Sequence, residues 1–263
     1  MKKITLLPII ALIGNVSAAV SSIPATGWNY DMVLNGSGPY APSVNGTMDG
    51  GFGQSENWTW VEAGTYLNPE GVATTIPGLV SGVQNSLTGS GTFQFQSFSA
   101  NNVVGLNGGQ TGTLLLNVPA SYSTIALFGA SGFGAKTATV TLTFTDLSTT
   151  QFMVASGTGI GTDWFNSGAD KAFEAKARAS NRGEDGNMRL FLAEIDTIGI
   201  NESLFTLSSA DQLKTLQSVS ITNTGADRMA IFALSGEAVP EPSSVLVFGS
   251  FAVAGLLRRR RSK

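Results

Sequence analysis

From Ala138 to Phe144 the chain reads Ala-Thr-Val-Thr-Leu-Thr-Phe, apolar and polar in strict alternation. Successive side chains of a strand point to opposite faces, so Val140, Leu142 and Phe144 share one face and the threonines the other. A turn at Asp146 to Ser148 and a second Thr-rich run from Thr149 complete a predicted hairpin. Similar runs predict strands at Thr92–Phe98, Gly112–Val118, Thr124–Gly129, Arg189–Ile195, Leu216–Thr222 and Met229–Leu234. Earlier candidates are Trp28–Leu34 and Trp58–Tyr66. Gly, Asn and Ser clusters separate them, as short strand connections require. Helical signal is confined to Ala169–Ala179, by composition, and to one turn at Ser208–Leu213. No fixed internal period is present, which argues against a propeller or β-helix. The expected fold is all-β, a single antiparallel β-sandwich of jelly-roll type.

The two ends break this pattern. Val245 to Leu257 is an uncharged run of 13 residues, followed by Arg258, Arg259, Arg260 and Arg261. As a helix it would cover about 20 Å, short for a hydrocarbon core of about 30 Å. Snorkelling arginines and local thinning make up the difference and place the arginines on the cytoplasmic side. Pro240 and Pro242 hold any helix start beyond them. A buried amphipathic helix is the competing reading, and a run apolar all round argues against it. At the other end Lys2 and Lys3 precede an apolar run from Ile4 to Ile13, with small residues at Ala18 and Ala19. That is the layout of a secretory signal peptide, a short helix cleaved by signal peptidase after Val16-Ser17-Ala18. The expected organisation is therefore a signal peptide at 1–19, a sandwich at 20–238 and an anchor segment at 239–263.

The tail resembles a known family. Val239-Pro240-Glu241-Pro242, the apolar run with Gly249, Ala252, Ala254 and Gly255, and the arginine cluster together look like the PEP-CTERM sorting signal of bacterial exported proteins. The resemblance implies recognition by a membrane-embedded exosortase, removal of the tail, and delivery to the cell surface or an extracellular matrix. It covers only the end of the chain.

Setting the ends aside changes the charge. The chain has 15 Lys and Arg and 18 Asp and Glu, but seven of the cations and only Glu241 of the acids lie in the end segments. The body therefore carries 8 positive and 17 negative charges, near −9. Such a surface repels phosphate backbones, which excludes nucleic acid as the expected partner. There is no Cys and no His. Disulfides, Ser-His-Asp and Cys-His catalysis are excluded, as are ordinary zinc, copper and non-haem iron sites.

Inside the body, "TFTDLSTTQFMVASGTGIGTDWFNSG" is the most informative stretch. Strand, Asp-containing turn, Thr-rich strand and Asp163-Trp164-Phe165 are similar to a pattern of galactose-binding-like β-sandwich domains, with Leu147 where the family has a turn glycine. The resemblance implies a sugar platform: an aromatic face under a pyranose, with carboxylates or amides on its hydroxyls. The packing reading has Trp164 plugging one end of the sandwich and Asp163 tying down a loop, and burial is the expectation. Trp58 and Trp60 share a strand face, which is core or platform, with Glu56 and Glu62 on the same parity.

"SNRGEDGNMR" adds Arg182, Glu184 and Asp185 in a loop that could converge with Asp163, Trp164 and Phe165 at one sandwich end. Its oxygens offer a structural calcium site without the spacing of a known calcium loop, and otherwise no cofactor or metal is expected. Lys171, Lys176, Arg178, Arg182 and Arg189 form a local basic cluster for an anionic polysaccharide, a neighbouring copy, or plain solvent. Asp163 with Glu194 or Asp196 is the candidate carboxylate pair for glycoside hydrolysis. The reading favoured by composition is a non-catalytic surface or matrix protein, carbohydrate-binding or structural. Its partners would be the export machinery, signal peptidase, an exosortase-like enzyme and polysaccharide. The alternative is a carboxylate-based glycoside hydrolase.

Overall fold

The computed structural model describes residues 19–35, 47–49, 58–67, 73–165, 168–180, 189–191 and 198–240. Among these residues helix is limited to two short 3-10 turns, Gly159–Gly161 and Asp211–Leu213. The rest is strand and connection, so the all-β expectation holds.

A six-stranded sheet is central. It runs β1 (Ser21–Ser22), β19 (Arg228–Ala238), β11 (Tyr122–Ser131), β17 (Ile198–Thr206), β14 (Lys171–Ala175), with β9 (Val104–Asn107) also paired to β19. A five-stranded sheet faces it, in the order β13 (Thr149–Val154), β12 (Ala138–Phe144), β18 (Leu216–Asn223), β10 (Thr111–Ala120), β2 (Ala25–Thr26). All pairings within both sheets are antiparallel. Val140, Leu142 and Phe144 meet Ile125, Leu127, Met229 and Ile231 between the sheets in one buried cluster. The alternation of β12 is thus read out as core on one side and half-buried threonine on the other.

The central sheet buries its second face as well. Phe128, Ile198, Ile200 and Phe232 pack there against Met32, Met48, Trp60, Phe93, Phe95 and Trp164. Phe93 stacks on Phe128 with ring centroids 4.3 Å apart, and Trp60 lies 4.9 Å from Trp164 and 5.4 Å from Phe232. Short elements supply this layer: a sheet of β16 (Arg189–Phe191), β15 (Arg178–Ser180), β4 (Trp58–Val61) and β3 (Val33–Leu34), and the hairpin β7 (Gly82–Asn85) with β8 (Thr92–Phe95). The hairpin β5 (Gly64–Leu67) with β6 (Ala73–Ile76) buries Tyr66 and Ile76 in a separate cluster with Leu34, Val61, Ala177 and Ala179. A sheet covered on both faces needs near-continuous apolar strands, which is why β11 and β19 are buried almost throughout.

Three expectations are corrected. Ala169–Ala179 is strand, divided between β14 and β15, because pairing with β17 and β4 overrides its helix-forming composition. Its alanines at 172, 175, 177 and 179 are buried. Only Val33–Leu34 of the Trp28–Leu34 run is strand, and Trp58–Tyr66 splits into β4 and β5. β17, between β11 and β14 in the core sheet, has no counterpart among the strands the sequence predicts.

The β12–β13 turn explains the missing glycine. Leu147 adopts φ 66°, a left-handed conformation that favours glycine, and it is 80 % exposed. Asp146 holds the turn by accepting from the Ser148 N–H at 3.0 Å and its hydroxyl at 2.6 Å, and these bonds lower its pKa. At the chain ends, Ser21 pairs with Gly236 and Ser22 with Ser235, so the start and finish of the body lie side by side. The signal helix and the apolar anchor fall outside the described residues, as do Ala18, Glu241, Pro242, Arg258, Arg259, Arg260 and Arg261. Among the described residues, no helix is long and apolar enough to cross a membrane.

Candidate functional site

Asp163, Trp164 and Phe165 follow the 3-10 turn Gly159–Gly161 and bridge to β11 through a Ser131–Asp163 pairing. Trp164 is fully buried in the aromatic core. Its indole N–H donates to Asp49 Oδ2 at 2.7 Å, and Phe165 meets it edge-on at 5.6 Å. No ring face remains for a pyranose. The platform reading of Trp164 therefore fails and the ring is buried, as the packing reading expects, because the second face of the central sheet needs large aromatics to fill it.

Asp163 is a loop anchor. Its Oδ1 accepts from the Phe165 N–H at 2.7 Å and its Oδ2 from the Gly134 N–H. Asp49 works on the same turn, with Oδ1 accepting from the Phe133 N–H at 2.8 Å. Burial pushes the Asp49 pKa up, against the lowering effect of the Trp164 and Phe133 hydrogen bonds. Phe165 keeps partial exposure, but the Arg178 guanidinium lies 4.1 Å from its ring and 3.5 Å from that of Trp58. Trp60, the second member of the Trp58 pair, is fully buried. A shallow cleft of about 630 Å³ adjoins this end, lined largely by Gly134, Gly157, Gly168, Asp163 and Phe165. Arg182, Glu184, Asp185, Glu194 and Asp196 lie outside the described residues, so convergence with the "SNRGEDGNMR" loop has no geometry here. Among the described residues no three His, Cys, Asp or Glu come close enough to hold a metal ion.

A second cleft, about 420 Å³, opens where β13 and β17 run past the start of β14. Phe152, Met153, Leu204 and Phe205 form its apolar wall; the Phe152 and Phe205 rings are 5.2 Å apart, and Met153 and Leu204 are exposed. Its polar lining is Thr88, Thr158, Asp170, Glu202 and Ser203, with no lysine or arginine among the described residues. Asp170 Oδ2 accepts from the Gly159 N–H at 2.9 Å. Ser203 Oγ accepts from the Ile160 N–H at 3.0 Å, and a Cβ at position 159 would collide with that oxygen. Glu202 is only 5 % exposed. Its Oε2 accepts from the hydroxyls of Ser86 (2.8 Å) and Thr88, both from the β7–β8 connection, whereas Oε1 has no hydrogen-bond partner. The preceding Asn201 is fully buried, and neither polar atom of its side chain has a partner.

The sequence reading missed this cleft because it missed β17. The available signal was Asn-Glu-Ser at 201–203 inside an otherwise apolar run, which reads as a connection rather than a strand.

Residues 238–261 match the PEP-CTERM protein-sorting motif. The motif indicates an exported protein directed to the cell surface through exosortase-type machinery. No curated protein matches the chain.

Proposed function

We propose that the chain is a non-catalytic component of the bacterial cell surface or extracellular matrix, exported as a β-sandwich and released from a short C-terminal anchor. The observation that carries this reading is the sorting motif at 238–261, which begins at the last residue of β19. The β1–β19 pairing supports it, since the leading and trailing segments leave the body at one place and can meet one membrane. A non-enzymatic role is supported by the absence of His and Cys and by Asp163, whose two oxygens are occupied by backbone donors.

Intact mass spectrometry of protein recovered from the cell surface tests the reading. A mature species starting near Ala19 and lacking the Arg258–Arg261 cluster is expected. A surface species still ending in that cluster and Lys263 would contradict release, and exclusive recovery from the cytoplasm would contradict export. Turnover of a chromogenic glycoside, lost in Asp163→Asn, would contradict the non-catalytic role.

A further inference from the structure

Glu202 is, among the described residues, a buried carboxylate that its own hydrogen bonds do not account for. A carboxylate removed from water is stable only when paired or fully hydrogen-bonded. Glu202 has two hydroxyl donors on Oε2 and none on Oε1, and it is almost wholly buried. The nearest lysine in sequence on the facing strand, Lys171, is engaged by Glu174 at 2.7 Å. Asp170 joins Glu202 in the same cleft, tied to it by the Glu202 N–H donating to the Asp170 carbonyl at 2.8 Å. The wall thus holds two acids and no counter-charge.

The other half of the cleft is apolar. Met153 is 71 % exposed and Leu204 52 % exposed, and both line the cleft together with Phe152 and Phe205. Clefts of about 300–1,000 Å³ with apolar walls and a few convergent polar groups are the usual form of small-ligand sites, and about 420 Å³ lies within that range. A bare divalent cation does not fit this wall, since calcium requires six to eight oxygens and half of the lining offers none. A neutral polyol would seal two carboxylates from water without neutralising either.

From these observations we infer that the β13–β17 cleft binds a ligand carrying a protonated primary amine on a compact carbon body, with the ammonium beside Glu202 and Asp170 and the carbon body against Met153, Leu204 and Phe152. An ammonium supplies three donors and the missing charge. Hydrogen bonds to charged partners are the strong ones, and this pairing removes the cost of the undonated oxygen. The chemistry is shared by an amino sugar of a matrix polysaccharide and by a simple alkyl amine. The site does not depend on how the tail is processed, so failure of either reading leaves the other standing.

The test is calorimetric titration of the full-length chain in non-ionic detergent, at a pH where amines are protonated. The probes are glucosamine, n-butylamine, N-acetylglucosamine, glucose and calcium chloride. Glucosamine should bind at least about tenfold tighter than N-acetylglucosamine or glucose, a gap of about 1.4 kcal/mol. Binding of n-butylamine as well would show that the ammonium alone is read, and its failure would assign the site to amino sugars. Glu202→Gln keeps an acceptor for Ser86 and Thr88 and should lower amine affinity at least about tenfold with the melting temperature little changed. Should that variant unfold, Asp170→Asn, which retains an acceptor for the Gly159 N–H, takes its place with the same expected loss. Equal binding of N-acetylglucosamine, saturation by calcium alone, or no amine binding at millimolar concentration would overturn the proposal.

Discussion

Asp163 and Glu202 both sit beside clefts where connections meet the central sheet, yet their oxygens are spent differently. Asp163 gives one oxygen to the Phe165 N–H and the other to the Gly134 N–H, and its neighbour Trp164 is sealed in the core. Glu202 gives one oxygen to two hydroxyls and leaves the second without a donor, in a cleft also lined by exposed Met153 and Leu204. A carboxylate whose lone pairs are occupied by its own backbone has finished its work when the chain folds. One that stays short of donors in a buried setting remains a liability until something else binds. By this criterion the Asp163–Trp164 end is architecture, and the β13–β17 cleft is where recognition is to be sought.

The largest expected effect falls at Trp164. Trp164→Ala removes a buried ring that touches Trp60 and Phe165 and takes the donor from Asp49 Oδ2, and should cost about 3–5 kcal/mol in urea unfolding. A near-neutral result would return that ring to the surface and erase the contrast. Asp163→Ala leaves two loop N–H groups without acceptors and should cost about 1–3 kcal/mol by the same measurement. If Asp163 were held for a ligand instead, the variant would keep its stability.

Acids enclosed by the architecture should also show in the pH dependence. Asp31 accepts from Asn102 at 2.6 Å, and desolvation, outweighing that bond and one from Val33, pushes its pKa up to about 6 from 3.8. A raised pKa means the folded state holds the proton longer than the unfolded chain. The stability from this group is therefore complete below pH 3.8 and is lost as pH rises through about 6. The full shift would correspond to about 3 kcal/mol, and because the side chain is only half-buried, solvent screening reduces it to about 1 kcal/mol. Urea unfolding of Asp31→Asn should run nearly parallel to wild type below pH 4 and gain on it by about that amount at pH 7. A variant that tracks wild type across the range would show that Asp31 titrates as if exposed. Of the same size, Leu147→Gly relieves a left-handed leucine at an exposed turn and should raise stability by about 1 kcal/mol.

What the sequence made legible follows the same division. The β12–β13 hairpin could be read residue by residue because one face is buried and the other is not, so composition alternates with geometry. The segment 169–179 misled because alanine, lysine and glutamate favour helix, while the structure uses Ala172 and Ala175 as flat backing beneath large aromatics. β17 was invisible because Asn201 and Glu202 interrupt its apolar run, and they are buried despite being polar. Glu202 meets Ser86 and Thr88 from more than a hundred positions away, a contact without a local signature. Asp163-Trp164 could be picked out as unusual, but nothing local distinguishes a tryptophan that plugs a core from one that faces a sugar. The sorting motif was legible because it is a signature in linear sequence.

The comparison between the two clefts is tested most directly by mapping backbone amide shifts by NMR while glucosamine is titrated into the isotope-labelled protein. The account predicts perturbations concentrated at Thr88, Thr158, Gly159 and Glu202 to Phe205, with Gly134, Asp163 and Phe165 unmoved. Shifts centred on Gly134 and Phe165, or no shifts at either cleft, would contradict it.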